Sequence, residues 1–411
     1  MSAWEIGFYL RIIASLCVMV AGFAAIRFSL DRLGIKSLLA YYAVRVLGMF
    51  VLIVLFNQIP PDVGGWYQHG LWMTDGYFPG RDFLTPYHLG FNFLLAMACF
   101  LLRNPVAIVI LFTLAEFLGV VLLYKALKGF WGEANVKKGL ILYLTSPIVF
   151  FQSFLGAQDE TLVLLGIAVL LYSAIKSSKC CWYYAGIVFS VFATKILAIM
   201  YLFPFAAIKR YKGVFFLLGV VGVYLAIVHL MGVNPFDLRF GRSLGVVASA
   251  DKIFEMKTIG NIWFFAPKCD ARLCLLFLLI GVVVVALPVI KVFLKGNAQM
   301  DVMIAHSVYL SAMWALVFSL FYKMTFASYL IPVLPFVCLL MVRNSAVCIA
   351  GVSWSFFNAI KDALSYGKGS IRILPAELIT NIVAAISIIM ALVMLVVIFR
   401  ACVIQKVLLN K

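Results

Sequence analysis

Apolar runs of about 20 residues, each closed by a short charged string, constrain this chain more than any other feature. Residues 272–292 and 378–401 show the pattern most plainly. An α-helix rises about 1.5 Å per residue, so a run of this length crosses the roughly 30 Å hydrocarbon core of a bilayer. A helix also satisfies its own backbone polar groups where no water is present. Such runs lie near 6–28, 38–57, 86–102, 105–124, 139–155, 161–176, 182–208, 214–232, 272–292, 301–322, 327–342, 345–360 and 378–401. Composition removes the soluble alternative. Hydrophobic residues make up 65% of the chain and charged residues 12%, against about half and about a quarter in soluble domains. The pattern predicts an all-α polytopic membrane protein of about 11–13 transmembrane helices, forming a single integral membrane domain over 1–411.

The net charge is +17. On a soluble chain that balance suggests nucleic acid. Here it points to loops lying against anionic lipid, and no nucleic-acid partner is expected. The strings Arg27–Lys36, Lys125–Lys138, Lys176–Lys179, Lys209–Lys212, Lys291–Lys295, Arg343 and Arg400–Lys411 are net basic. The positive-inside rule places them in the cytoplasm of a multi-pass plasma-membrane protein. Segments 58–85, 156–160, 232–271, 323–326 and 361–377 then lie outside and carry most of the acidic residues. Two stretches resist simple crossing. Asp62 and Asp159 share a side only if 86–124 crosses once, so 86–102 reads as a short juxtamembrane or re-entrant helix and 105–124 as the span. Arg103-Asn104-Pro105 marks the break between them. The run 182–208, basic at both ends, requires a V with its turn near Lys195.

The first outer loop runs from Pro61-Asp62 through Trp66-Tyr67-Gln68-His69 to Arg81-Asp82-Phe83 and Pro86-Tyr87-His88. Asp62 follows a span by a few residues, among aromatic side chains. A carboxylate there can stay ionised while facing a cavity open to lipid, which suits removal of a proton from a hydroxyl that attacks a lipid-borne substrate. Taken alone, Asp62 reads more readily as a solvated loop carboxylate. The turn Gly156-Ala157-Gln158-Asp159-Glu160 sets two carboxylates at a membrane boundary. They could bind an acceptor sugar, bind a divalent metal, orient the first loop, or simply open a helix against its dipole. Lys195, Arg239, Arg242 and Lys323 could hold a phosphate group; headgroup anchoring is the plainer account, least so for the deep Lys195. His69, His88, His229 and His306 show no metal-ligand spacing. No Walker A string, serine elbow or Cys-x-x-Cys motif occurs.

In their order, these residues resemble the polytopic C-type (GT-C fold) glycosyltransferases that use polyprenyl-phosphate sugars. Asp62, Tyr67, Gly76, Arg81-Asp82-Phe83 and Pro86-Tyr87 are similar to that family's first outer loop. Gly156-Ala157-Gln158-Asp159 is similar to its Gly-x-Gln-Asp turn, Lys195 through Pro204 to its Lys-to-Pro stretch, and Tyr329-Leu330-Ile331-Pro332-Val333-Leu334-Pro335 to its late proline string. The resemblance covers 38–342, with an extra N-terminal span in 1–37 and C-terminal helices in 343–411. His88 departs from it, standing where a second proline is common.

The resemblance implies a GT-C-like bundle with juxtamembrane helices in the first outer loop and a site on the extracytoplasmic face. It implies Asp62 as general base for an inverting transfer of mannose or another hexose or pentose. The donor would be a polyprenyl-phosphate sugar and the acceptor a glycan or glycolipid of the cell envelope. Tyr67, His69, Arg81, Asp82, Tyr87, His88, Gln158, Asp159 and Glu160 would line the substrate site, with Lys195, Arg239, Arg242 and Lys323 on the donor phosphate. Membrane lipids are the other partners. No cofactor is required, although Asp159 and Glu160 permit a divalent metal. The alternative is a transporter or lipid flippase with Arg45, Glu116 and Lys195 along its path.

Overall fold

The computed structural model describes residues 3–28, 34–83, 85, 87–176, 181–194, 198–230, 259, 261–266, 269–294, 299–322, 326–366 and 376–404. Helices build nearly all of it. Among the described residues the only β-type pairing is a bridge between Pro79 and Phe83. The helices are α1 (Ala3–Phe28), α2 (Ile35–Phe50), α3 (Pro61–Thr74), α4 (Leu89–Leu101), α5 (Val106–Trp131), α6 (Glu133–Leu144), α7 (Glu160–Lys176) and α8 (Cys181–Ala193). They continue as α9 (Ala198–Ala206), α10 (Arg210–Leu230), α11 (Ala271–Leu294), α12 (Met300–Phe321), α13 (Leu334–Arg343), α14 (Ser345–Tyr366) and α15 (Ala376–Ile404). Two π-helical segments, Val51–Leu55 and Val149–Leu155, join this series.

Among the described residues seven helices are long and apolar enough to cross a membrane: Ile6–Phe28, Ile35–Leu55, Val106–Trp131, Tyr211–Leu230, Arg272–Val292, Met300–Phe321 and Glu377–Val403. Leu89–Leu101, Glu160–Ile175, Cys181–Ala193, Met200–Lys209 and Leu334–Arg343 are shorter apolar helices. The expected set of spans is thus of mixed length. The break expected at Arg103-Asn104-Pro105 is present: Asn104 separates the short α4 from the long α5 and caps the amide of Val106 at 2.9 Å. The break expected near Lys195 falls between α8 and α9, although Lys195 itself lies outside the described residues. The run 139–155, read as one straight span, is instead bent by 74° between α6 and the π-helical segment. Pro147 sits in that bend and removes a backbone donor where the helix would have continued.

The chain forms two compact units. One comprises 1–32, 130–152 and 254–411. Its centre is α12, 83% buried over its apolar stretch, whereas the more apolar α1 is only 11% buried and turns its side chains outward. An all-round apolar helix belongs in a core, and an apolar outer face belongs in lipid. Gly132 has φ +77°, a conformation side chains avoid, and it lets the chain pass from α5 to α6 across one residue.

The other unit comprises 33–129 and 153–253. Its core joins Met49 and Ile53 to Val63 and Trp66 of α3, Phe91, Leu95 and Cys99 of α4, and Phe112 of α5. The indole of Trp66 meets Phe112 edge-on at 5.1 Å. α3 and α4 cross closely at Gly70, where a Cβ would fall on the Cys99 sulfur and come within 2.8 Å of the Leu95 carbonyl oxygen. This packing fixes the orientation of α3 and of the loop that follows it.

Candidate active site

Pro60-Pro61 opens α3. Pro60 is extended, and Pro61 takes the first helical position, where its missing N–H costs nothing. Asp62 therefore stands in the first turn, where a carboxylate is favourable against the helix dipole. Val63, Trp66, His69 and Gly70 form the buried stripe of the same helix, which leaves Asp62 exposed. The Gln158 side-chain amide donates to Asp62 Oδ2 at 2.7 Å. Gln158 lies in the turn that ends the second π-helical segment, beside Ala157 in the left-handed region at φ +48°. The amide of Ala157 donates to the Ser153 carbonyl at 3.0 Å, and the Thr161 hydroxyl donates to the Gln158 carbonyl at 3.0 Å. Two turns nearly a hundred residues apart in sequence thus meet at one carboxylate. Asp62 and Asp159 belong to the same end of this unit, as the parity argument required.

Below that contact lies a buried polar cluster. Arg45 of α2 donates to Glu116 of α5, and the Ser153 hydroxyl donates to the same carboxylate. Arg45 also donates to Ser153 Oγ at 3.0 Å. The side chains of Arg45 and Glu116 are each 1% exposed. Ser153 belongs to the π-helical segment that leads into Gln158, and α2 leads through its own π-helical end to Asp62. The cluster therefore ties together the two strands of chain that deliver Asp62 and Gln158.

The other expected substrate residues divide by environment. Arg81 and Asp82 hold each other: Nε donates to Oδ1 at 2.9 Å and Nη2 to Oδ2 at 2.7 Å. The Phe78 amide also donates to Asp82 at 2.7 Å. Asp82 knots the loop, and the Arg81 guanidinium, ahead of that amide, holds its carboxyl below the usual carboxylate range. Arg81 keeps 67% of its side chain exposed. Tyr67 is half-buried, with its carbonyl facing Cys99 Sγ at 3.7 Å. Tyr87 stacks on Phe91 at 4.4 Å. His69 is buried between Trp72 and Phe83, with ring centroids at 5.6 and 5.2 Å, and its Nδ1 has no hydrogen-bond partner. Burial lowers its pKa to about 4.

His88 acts as a fastener. Its Nδ1 meets the Val191 carbonyl of α8, its amide donates to the Thr194 carbonyl at 3.3 Å, and its ring lies 4.4 Å from Tyr224. Burial lowers its pKa to about 4 against the opposing effect of that carbonyl. Asp159 and Glu160 are both buried at the start of α7. Among the described residues no three His, Cys, Asp or Glu side chains gather as metal ligands. Asp159 and Glu160 are thus not completed by a third ligand of those types. Lys195, Arg239, Arg242 and Lys323 all lie outside the described residues.

Sequence reasoning singled out Arg45 and Glu116 only as isolated charges. It missed that they pair and that Ser153 joins them, because nothing in a linear sequence marks partners 71 residues apart.

No protein-family model matches this chain. No curated protein matches it either. Among solved structures, it is similar to the crystal structure of ArnT from Cupriavidus metallidurans bound to undecaprenyl phosphate. The TM-score is 0.45 at 12% identity, over 91% of this chain and 79% of that one.

Proposed function

We propose that the chain is a membrane glycosyltransferase in which Asp62 is the general base. The supporting observation is the arrangement at Asp62: an exposed carboxylate in a first helical turn, one oxygen held by Gln158 and the other left to accept a proton. Asp62 takes the proton of an acceptor hydroxyl as that oxygen attacks the anomeric carbon. The bond from that carbon to the donor phosphate breaks, and the polyprenyl phosphate departs with the electron pair. Direct displacement inverts the anomeric centre. One base suffices, because the departing phosphate needs cationic neighbours rather than an acid. Lys195, Arg239, Arg242 and Lys323 are proposed for that role. Tyr67, His69, Arg81, Asp82, Tyr87, His88, Gln158, Asp159 and Glu160 are proposed for sugar and acceptor. The donor is a polyprenyl-phosphate hexose or pentose, mannose among them, used on the extracytoplasmic face of the plasma membrane. A transporter path through Arg45 and Glu116 finds less support, since those charges neutralise each other in a buried cluster.

The test is a donor screen. Purified protein in detergent is given several polyprenyl-phosphate sugars, and products are read by mass spectrometry. Asp62→Asn should bind donor yet lose about 10²–10⁴-fold in turnover, the usual worth of a positioned base. Near-normal transfer by Asp62→Asn removes Asp62 from the chemistry.

A further inference from the structure

The first unit contains a cavity of about 380 Å³ that the reaction above does not use. Its walls include Asn135 of α6, Tyr309 of α12, Arg343 at the end of α13, Asn344, Val347 of α14 and Ile398 of α15. This volume falls in the range of small-ligand sites, and its lining mixes apolar side chains with a few polar groups, as such sites do. Arg343 is exposed, and its guanidinium carbon stands 5.3 Å from the centre of the Trp131 ring. No carboxylate of a described residue is within ion-pair distance of it. Glu133, the nearest acid to Trp131 in sequence, is taken by Lys137 at 2.9 Å. Two helices open on the cavity with their first turns, α6 at Asn135 and α14 at Val347. The Val347 amide donates to Asn344 Oδ1 at 3.1 Å and the Asn135 side-chain amide donates to the Trp131 carbonyl at 3.1 Å, so what these first turns still offer the cavity is the positive end of the helix dipole.

An arginine serving only as a snorkelling anchor needs water or headgroups around it, not a cavity. Here a guanidinium steadied by an aromatic face and the first turns of two helices border one space whose other walls are largely apolar. An anion with a hydrocarbon body matches that mixture. Arg343, and α6 with its Lys137 and Lys138, belong to strings that the positive-inside reading assigns to the cytoplasm, where anionic phospholipid concentrates. We infer that this cavity binds the headgroup of an anionic phospholipid, with Arg343 on the phosphate and the apolar wall toward the acyl chains.

The test uses full-length protein, delipidated and offered phosphatidylglycerol or phosphatidylcholine, with bound lipid counted by native mass spectrometry. Wild type should retain phosphatidylglycerol about tenfold over phosphatidylcholine, the scale of one charge-assisted pair. Arg343→Gln should lose that preference. Arg343→Lys should keep part of it, having charge but no planar fork. Asn135→Leu alters a different wall and should weaken retention in the same direction, so the test does not rest on one variant. Equal retention by wild type and Arg343→Gln, at matched unfolding temperatures, overturns the inference. Displacement of the lipid by millimolar inorganic phosphate also overturns it, because the site would then read a free anion.

Discussion

Asp62 and Gln158 touch across 96 residues of sequence, and under the proposed function the contact has a kinetic consequence. A carboxylate that rotates freely spends part of its time aimed away from the acceptor. Gln158→Leu should lower kcat about tenfold, since a hydrogen bond to a charged group contributes about 1.5–3 kcal/mol. A raised KM beside it would report the substrate contact also proposed for Gln158, and a change in KM alone would mean that Gln158 does not aim Asp62. His69 makes a different residue-scale prediction. Its pKa is about 4 in the fold against 6.5 when unfolded, so below pH 6.5 the unfolded chain binds more protons than the folded one. Its contribution to stability is complete above pH 6.5 and is lost as pH falls toward 4. His69→Phe fits between Trp72 and Phe83 and removes a buried unpartnered nitrogen. Unfolding temperature measured from pH 7 to pH 4 should fall less steeply in that variant; an unchanged slope would clear His69 of the effect. Asp62 drew notice in the sequence because it follows an apolar run by a few residues, among aromatic side chains. Its contact with Gln158 did not, because only folding brings the second turn alongside. Arg81 and Asp82 were read as substrate contacts, whereas much of their charge is committed to each other and to shaping the loop.

At the scale of elements, α2, α5 and the π-helical segment Val149–Leu155 are joined through Arg45, Glu116 and Ser153. Removing one member of a buried pair strands the other, which costs about 3–5 kcal/mol. Glu116→Leu should therefore unfold at markedly lower temperature in detergent, and so should Arg45→Leu. The double variant should be more stable than either single one, because no charge is left uncompensated. Additive losses would show that the pair is not coupled. Arg103-Asn104-Pro105 announced the separation of α4 from α5 because proline and a capping asparagine act locally. The 74° bend after α6 had a local signal too, in Ser146-Pro147. Hydropathy counting passed over it, since an apolar run registers length and not direction.

For the whole molecule, the question is which side each turn faces. With the exposed Cys17 and Cys181 replaced by Ser, a cysteine at Gln68 should react with an impermeant reagent on intact cells. A cysteine at Lys125, exposed at the far end of α5, should react only after permeabilisation. Labelling of both from one side would defeat the crossing order assigned to α5.

The sequence by itself determined the class of molecule, because hydrophobic length is a one-dimensional property and lipid permits few other structures. It also determined where helices begin and break, wherever proline or a capping residue acts on its own neighbours. Only the tertiary structure decided that Gln158 meets Asp62, that Arg45 meets Glu116, and that Arg343 borders a cavity. Each of these joins residues far apart in sequence, and such contacts depend on how helices cross, at close approaches such as Gly70, which no local pattern records.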